Sequence, residues 1–217
     1  MLYYPTAKLW EPDKLPNCVL WLDANDSSTI TAVSGAVSSW NSRIGNFQAV
    51  QANTNFRPII DVYSQKRNTI FFDGVNDFLQ INSASFNTNF FSTDFTIAIS
   101  VIYTRIGVTF GVNPVITKRT AGTNGIFIGQ LGSTDSMTFD WGGNTNRITS
   151  TNPVISTNTT YLVSRDSADR RLSRNGLISS NAAGSANVNT ISNLFIGCLE
   201  NQTNFMKGAI NEIIMYQ

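Results

Sequence analysis

Short apolar runs alternate with polar, turn-forming residues along most of the chain. The clearest runs are Val19–Ala24, Phe95–Tyr103 and Ala209–Tyr216, which are of strand length and rich in β-branched and aromatic residues. Many short strands joined by turn residues favour an antiparallel sandwich over a fold of alternating strands and helices. Further strands are predicted at Val37–Asn41, Arg57–Tyr63, Thr69–Phe72, Phe78–Asn82, Pro114–Lys118, Gly125–Leu131, Met137–Trp141, Tyr161–Arg165, Arg170–Arg174, Leu177–Ser179 and Leu194–Leu199, with almost no helix.

One of the turns between predicted strands is specified by its two residues alone. Asn175 and Gly176 lie between two of the predicted strands, and both residue types tolerate a positive φ. A two-residue hairpin turn requires that backbone conformation. A tight hairpin is therefore predicted here.

Two regions depart from the strand pattern. Residues 1–17 contain three prolines, which cannot donate to a sheet ladder, so we expect an extended arm ahead of a single domain over residues 18–217. The second region, Val33–Asn55, is predicted to be a polar loop around one short strand.

Composition agrees with one domain and gives no electrostatic case for nucleic acid or an acidic membrane as a partner. A chain of 217 residues suffices for a hydrophobic core of its own. Only 13% of the residues are charged and the net charge is +1, so nothing in the charge balance favours nucleic acid or an acidic membrane. Asn, Ser and Thr number 25, 22 and 23, which makes the polar surface nearly uncharged. No stretch reads as a secretion signal or a membrane span.

Three segments in this order resemble a known family. Leu20-Trp21-Leu22-Asp23-Ala24 opens the predicted sheet, Phe72-Asp73-Gly74 ends a middle strand, and Glu212-Ile213-Ile214 lies in the closing strand. This set resembles the laminin-G-like, or concanavalin-A-like, jelly roll. The resemblance implies an all-β fold of two antiparallel sheets, with Val19–Ala24 beside Ala209–Tyr216. It implies little about function, because jelly rolls serve lectins, glycosidases, adhesion modules and virion proteins.

The residues argue against catalysis. The chain has no histidine, which removes the commonest general base and metal ligand. Glycosidases of the jelly-roll superfamily carry clustered carboxylates on one strand, whereas Glu occurs here only at Glu11, Glu200 and Glu212. Glu200 and Glu212 have no acidic neighbour within five residues, although pairs formed by distant segments remain open. We expect no enzymatic activity.

Metal and cysteine chemistry leave alternatives open. Asp73, Asn76 and Asp77 could supply oxygen ligands to calcium. Alternatively, Asp73-Gly74 makes a tight turn in which the carboxylate of Asp73 or Asp77 bonds backbone N–H groups. We expect no cofactor and no resident metal. Cys18 and Cys198, the only two cysteines, are either buried free thiols or a disulfide.

A candidate glycan site is predicted around one glycine-containing loop. Asp140, Trp141, Asn144 and Arg147 combine an aromatic ring with groups that donate and accept hydrogen bonds. The alternative is that Trp141 ends a strand with its ring in the core. A second cluster is expected to form a solvated hairpin face rather than an anion site, and it contains Arg165, Arg170, Arg171 and Arg174.

The resemblance and the missing secretion signal together predict a bacteriophage virion protein. In this hypothesis the chain is made in the host cytoplasm and decorates a capsid or tail through contacts with other virion proteins or a second copy. The arm would supply the anchors, since aromatic side chains dominate many interfaces: Tyr3, Tyr4, Leu9 and Trp10. Two alternatives are open: a carbohydrate-binding module for adsorption to host glycans, and an arm that folds back over its own sandwich.

Overall fold

The structure is a computed structural model that describes residues 11–63, 67–104, 112–120, 124–131, 136–142, 147–150, 156–166, 169–183 and 193–217. These residues form strands and a single α-helix, α1 (Ala84–Phe90). The strands are β1 (Cys18–Asp23), β2 (Ile30–Val33), β3 (Ala36–Asn41), β4 (Gln48–Val50), β5 (Ile59–Tyr63), β6 (Arg67–Asp73), β7 (Leu79–Ile81), β8 (Phe95–Tyr103), β9 (Val112–Thr120), β10 (Asn124–Leu131), β11 (Met137–Trp141), β12 (Arg147–Thr149), β13 (Thr159–Arg165), β14 (Asp169–Arg174), β15 (Leu177–Ala183), β16 (Leu194–Ile196) and β17 (Lys207–Tyr216).

The longest strand, β17, organises what we call the front sheet. One edge of β17 pairs with β8, and the order continues through β13 and β14 to β15. The other edge is shared, because β6 pairs with Lys207–Ile210 and β1 pairs with the rest of the strand. The predicted neighbourhood of the opening and closing strands is therefore confirmed.

Strand β5 extends the front sheet beyond β6. The back sheet contains the other nine strands in the order β2, β3, β4, β7, β16, β9, β10, β11 and β12. All the pairings in both sheets are antiparallel. The two sheets are joined where Ala36 of β3 pairs with Ile59 of β5. The expected all-β sandwich of two antiparallel sheets is confirmed.

The hydrophobic core lies between the two sheets. Alternate residues of β8 point into it, from Phe95 through Ile99 to Tyr103. Phe95 meets the back sheet at Trp141, with ring centroids 5.1 Å apart, and the Tyr103 hydroxyl lies 3.4 Å from the sulfur of Met137. Contacts of this kind hold the sheets together and leave the alternate side chains on the outer faces.

Every predicted run contains strand structure, but the pattern missed four elements. The region Val33–Asn55 holds β4 as well as β3, and β2 and β12 were not predicted. These strands are three or four residues long, and such short strands give little periodicity to read. The helix α1 was also missed; its start is fixed by the Ser83 hydroxyl, which accepts from the N–H of Phe86.

The predicted hairpin joins β14 to β15. Asn175 and Gly176 adopt φ of 48° and 82°, as a two-residue turn with two left-handed positions requires. The amide of Asn175 also accepts the backbone N–H of Thr160 at 2.9 Å, which ties the turn to β13.

Part of the N-terminal segment packs against the sandwich. Pro12 is buried, its carbonyl accepts from the hydroxyl of Tyr216 at 3.3 Å, and the N–H of Gln217 donates to the carbonyl of Asn17 at 3.0 Å. The predicted anchors of the arm lie outside the described residues: Tyr3, Tyr4, Leu9 and Trp10. Their role as a partner-binding arm stays a prediction.

The two cysteines are free thiols in different parts of the fold. Cys198 is fully buried beside Phe78 and Phe195, whereas Cys18 is only half-buried at the start of β1. The free-thiol interpretation is confirmed, with Cys18 less buried than expected. No helix in the described ranges has the length and apolar character needed to cross a bilayer.

Candidate functional site

The outer face of the front sheet carries two parallel rows of side chains. Strand register places Asp23, Glu212, Ser100 and Thr160 opposite one another on four neighbouring strands. Two residues along each strand, the next row contains Trp21, Ile214, Ala98 and Leu162. One row is polar and the other is mainly apolar.

These rows border a depression of about 350 Å³, which we call the outer-face pocket. The apolar part of its lining comes from Ala98, Ile99, Leu162 and Ile214. The polar part comes from Arg67, Ser100, Asn158, Thr160, Asn211 and Glu212. Polar groups that converge beside an apolar surface are typical of small-molecule sites.

A β-bulge sets the direction of Glu212. The register of β17 against β8 shifts between Ile210 and Glu212, at the point where β17 changes partner from β6 to β1. The extra residue, Asn211, is held on both sides. Its side-chain N–H donates to the carbonyl of Asn68 at 2.8 Å, and its own carbonyl accepts from the N–H of Ala24 at 2.9 Å. Bulges often re-aim side chains beside functional sites, and this one turns Glu212 into the pocket.

Glu212 is anchored from the opposite strand. The indole N–H of Trp21 donates to Oε1 of Glu212 at 2.8 Å. The guanidinium of Arg43 lies over the face of the indole, 3.9 Å from the ring centroid, and bonds Asp23 at 3.0 Å and Asp26 at 3.3 Å. Burial raises the pKa of Glu212, and the hydrogen bond from Trp21 opposes that shift.

The remaining pocket groups suit a ligand with hydroxyl groups. The hydroxyl of Ser100 donates to Oδ1 of Asn158 at 2.8 Å, which fixes the orientation of that amide. Leu162 lies on an interior strand of the front sheet and is 37% exposed, so it presents aliphatic surface to a ligand. The pocket contains hydrogen-bonding groups of both kinds and one carboxylate, a set suited to binding.

The candidate glycan site predicted from sequence is arranged differently. The ring of Trp141 is fully buried in the core, so the interpretation in which it faces a ligand is wrong and the core alternative is confirmed. Asp140 and Arg147 lie on the outer face of the back sheet. Arg147 bonds both oxygens of Asp140 at 2.7 and 2.9 Å, and Arg119 bonds Oδ2 at 3.1 Å.

Both oxygens of the Asp140 carboxylate are therefore hydrogen-bonded to Arg119 and Arg147. Asp140 is 1% exposed, which is usual for a structural ion pair. Asn144 lies outside the described residues. Glycan binding by Asp140, Asn144 and Arg147 stays a prediction.

The arginine cluster is only partly a solvated face. Arg171 is exposed and lies 3.3 Å from both Asp166 and Asp169. Arg165 and Arg170 are buried, and the Arg165 guanidinium sits 5.0 Å from the centroid of the Trp141 ring. The expectation of a solvated face is wrong for these two, because their strand positions point inward.

The candidate calcium loop uses its carboxylates on its own backbone. Asp73 accepts from the N–H groups of Val75 and Asn76 at 2.7 and 3.2 Å, and Asp77 accepts from the N–H of Asp73 at 3.0 Å. These are the bonds of the tight-turn alternative, and Gly74 supplies the left-handed position with φ of 81°. Burial raises the pKa of Asp77 to about 6.

One feature of the sequence indicates a functional group in the closing strand, although the predicted sites do not include it. Asn211 and Glu212 interrupt an otherwise apolar closing strand, and a charge inside such a strand needs a reason. The hydrogen-bond partner of Glu212 is Trp21, which lies 191 residues away in the chain, so only the fold reveals this contact.

No protein-family model matches this chain, and no curated protein matches it in sequence. Solved structures do match. Domain 4 of a GH43 extracellular arabinanase from Geobacillus stearothermophilus, determined with arabinotriose, superposes with a TM-score of 0.62 at 11% identity, covering 93% of this chain and 92% of that domain.

Two sialidase-derived structures are also similar. The sialidase of Trypanosoma rangeli gives a TM-score of 0.63 at 12% identity, over 93% of this chain but only 31% of the sialidase. The CBM40 domain of a Ruminococcus gnavus sialidase, bound to α2,3-sialyllactose, gives 0.53 at 13% identity, over 68% of this chain and 89% of that domain. At these identities the likeness establishes the fold alone, which is a jelly-roll-like β-sandwich.

Proposed function

We propose that this chain is a non-catalytic carbohydrate-binding module that holds a glycan in the outer-face pocket. The pocket carries this proposal, because it presents hydroxyl, amide, carboxylate and guanidinium groups beside exposed aliphatic surface. A sugar needs both: its hydroxyls exchange hydrogen bonds, and its C–H faces lie against apolar side chains. The likeness to an arabinanase domain determined with arabinotriose, which spans nearly all of both chains, supports the same function.

Leu162 provides the sharpest test. The substitution Leu162→Asp places a charge on the exposed apolar part of the pocket without opening the core. We expect at least a tenfold loss of glycan affinity, about 1.4 kcal/mol, in calorimetric titration with the glycan found on an array. The matched control is Leu177→Asp, which changes an exposed leucine of the same sheet that does not line the pocket.

Both variants should melt within a few degrees of the unchanged protein, since both positions are exposed. Equal affinity in the Leu162 and Leu177 variants would place the glycan elsewhere. If an array of neutral and acidic glycans captures none of the protein, the proposed function is wrong.

The virion role stays a prediction of the sequence. The comparisons favour the glycan-binding alternative over it, and location in a virion rests on the same sequence argument. Its test is removal of Met1–Leu9, which should abolish incorporation into a particle while the isolated domain keeps its melting temperature. A truncated chain that still assembles but melts much lower would mean that the arm folds back over its own sandwich.

A further inference from the structure

We propose that the outer-face pocket selects neutral glycans over glycans that carry a carboxylate, and that Glu212 determines this specificity. The inference rests on the proposed function, because it names the class of glycan that the same pocket takes. It is carried by the free oxygen of Glu212 and by the charges around it.

One oxygen of Glu212 is available to a ligand. Oε1 accepts from the indole of Trp21, whereas no described residue donates to Oε2. Oε2 is also not among the buried atoms that lack a partner, so it remains open to solvent at the pocket wall. An ionised carboxylate oxygen only accepts hydrogen bonds, and a sugar hydroxyl is a suitable donor.

The carboxylate is held in place by a support that limits its movement. Trp21 fixes Oε1, Arg43 stacks on the face of the indole, and Asp23 and Asp26 hold Arg43. Because the Asn211 bulge fixes the backbone as well, Glu212 cannot swing away to admit an anionic group without breaking the Trp21 bond. A preorganised acceptor discriminates better than a mobile one.

The charged groups of the described lining are Glu212 and Arg67, so the lining as a whole is neutral. Arg43, Asp23 and Asp26 lie outside the lining and pair with one another. The other polar lining groups are neutral, namely Ser100, Asn158, Thr160 and Asn211. A ligand carboxylate placed at Oε2 would meet the like charge of Glu212 at close range, whereas a sugar hydroxyl would donate to it.

Arg67 is the group that opposes this specificity. It is exposed at the rim of the pocket and is the only guanidinium in the described lining. Its charge also acts on Glu212, since it favours the ionised form of that carboxylate. Arg67 therefore neutralises part of the charge of Glu212 and does not make the pocket cationic.

The experiment compares matched glycans. Lactose and α2,3-sialyllactose differ by one sialic acid, and arabinotriose provides a second neutral probe. At pH 7.5 we expect the full chain to prefer neutral members of such pairs by about tenfold or more, on an array and in titration. Glu212→Gln keeps an acceptor for Trp21 and removes the charge, so it should reduce that preference at least threefold.

The control is Glu200→Gln, which removes the same charge from a residue outside the pocket and should leave the preference unchanged. Equal or tighter binding of the sialylated members, or an unchanged preference in Glu212→Gln, overturns the inference and leaves glycan binding standing. Absence of binding to every neutral and acidic probe overturns the proposed function itself, so the two failures are distinguishable.

Discussion

The indole of Trp21 and the carboxylate of Glu212 form a hydrogen bond of 2.8 Å between the opening and closing strands of the fold. The two residues lie 191 positions apart in the chain. Their bond joins the strand that completes the front sheet to the one group in the outer-face pocket with a free carboxylate oxygen. The same contact therefore stabilises the sheet and orients the candidate site.

Replacing Trp21 with Phe keeps an aromatic ring at this position and removes the indole N–H that donates to Glu212. Arg43 can still stack on the phenyl ring, but Glu212 loses its hydrogen bond, so the pKa of Glu212 should rise further. We expect the free energy of unfolding to fall by about 1 kcal/mol at pH 7, measured by urea denaturation. The loss should nearly vanish in a Glu212→Ala background. An equal loss in both backgrounds would show that the ring alone matters.

Asp77 should make the folded chain less stable at neutral pH than in mild acid. Burial raises its pKa from 3.8 to about 6, so the folded state binds a proton more tightly than the unfolded state does. The contribution of Asp77 to stability therefore increases as pH falls through about 6 towards 3.8.

The substitution Asp77→Asn isolates this effect, because an amide oxygen can still accept the N–H of Asp73. We expect the variant to gain on the order of 1–2 kcal/mol over the unchanged protein above pH 7 and to lose that gain below pH 4. Denaturation of both proteins across this pH range measures the difference. A constant difference at every pH would contradict the prediction.

The effect of Lys118 on the stability of the protein should have the opposite pH dependence to that of Asp77. Its side chain is fully buried, with the ammonium 5.4 Å from the centroid of the Phe91 ring, and burial lowers its pKa from 10.5 to about 8. The unfolded state then binds more protons between those values, so the stability of the protein rises with pH through that window.

Lys118→Met removes the titrating group and keeps the length of the side chain. Any stability advantage of the variant at pH 7 should shrink between pH 8 and 10, by about 1–2 kcal/mol, in parallel denaturation curves. Other groups that titrate in this range cancel in the comparison. A pH-independent gap between the two proteins would mean that Lys118 is charged in both states.

Catalysis is the fourth prediction. Asp23 faces Glu212 in the sheet, which supplies a pair of acids from distant segments that local spacing did not reveal. Oxygens of both carboxylates are already engaged, by Arg43 and by Trp21, and the chain has no histidine. We expect no hydrolysis of β-glucans, galactans, arabinans or peptides. Turnover that disappears on changing Asp73, Asp77, Asp140 or Glu212 to Ala would show that this expectation is wrong.

The tryptophans show that a strand pattern does not by itself predict which face of the sheet a side chain lies on. The sequence left open whether the ring of Trp141 faces a ligand or the core, and the structure buries it between the sheets. Trp21 also lies on a strand, but its ring is on the outer face beneath Arg43. Along a strand, neighbouring side chains point to opposite faces of the sheet. Where both faces carry large apolar residues, this alternation does not predict which face is in the core.

The sequence by itself determined the strand-rich fold class and the Asn175–Gly176 hairpin. Each of these depends on a local property: apolar periodicity, or two residues that accept positive φ. The pairing of the first and last strands was predicted only through the family resemblance. The outer-face pocket was decided only by tertiary structure. Its strand residues come from β6, β8, β13 and β17, and they meet because strand register and the Asn211 bulge bring them to one face. Contacts between such distant segments depend on how the sheet is assembled, and no local pattern specifies that.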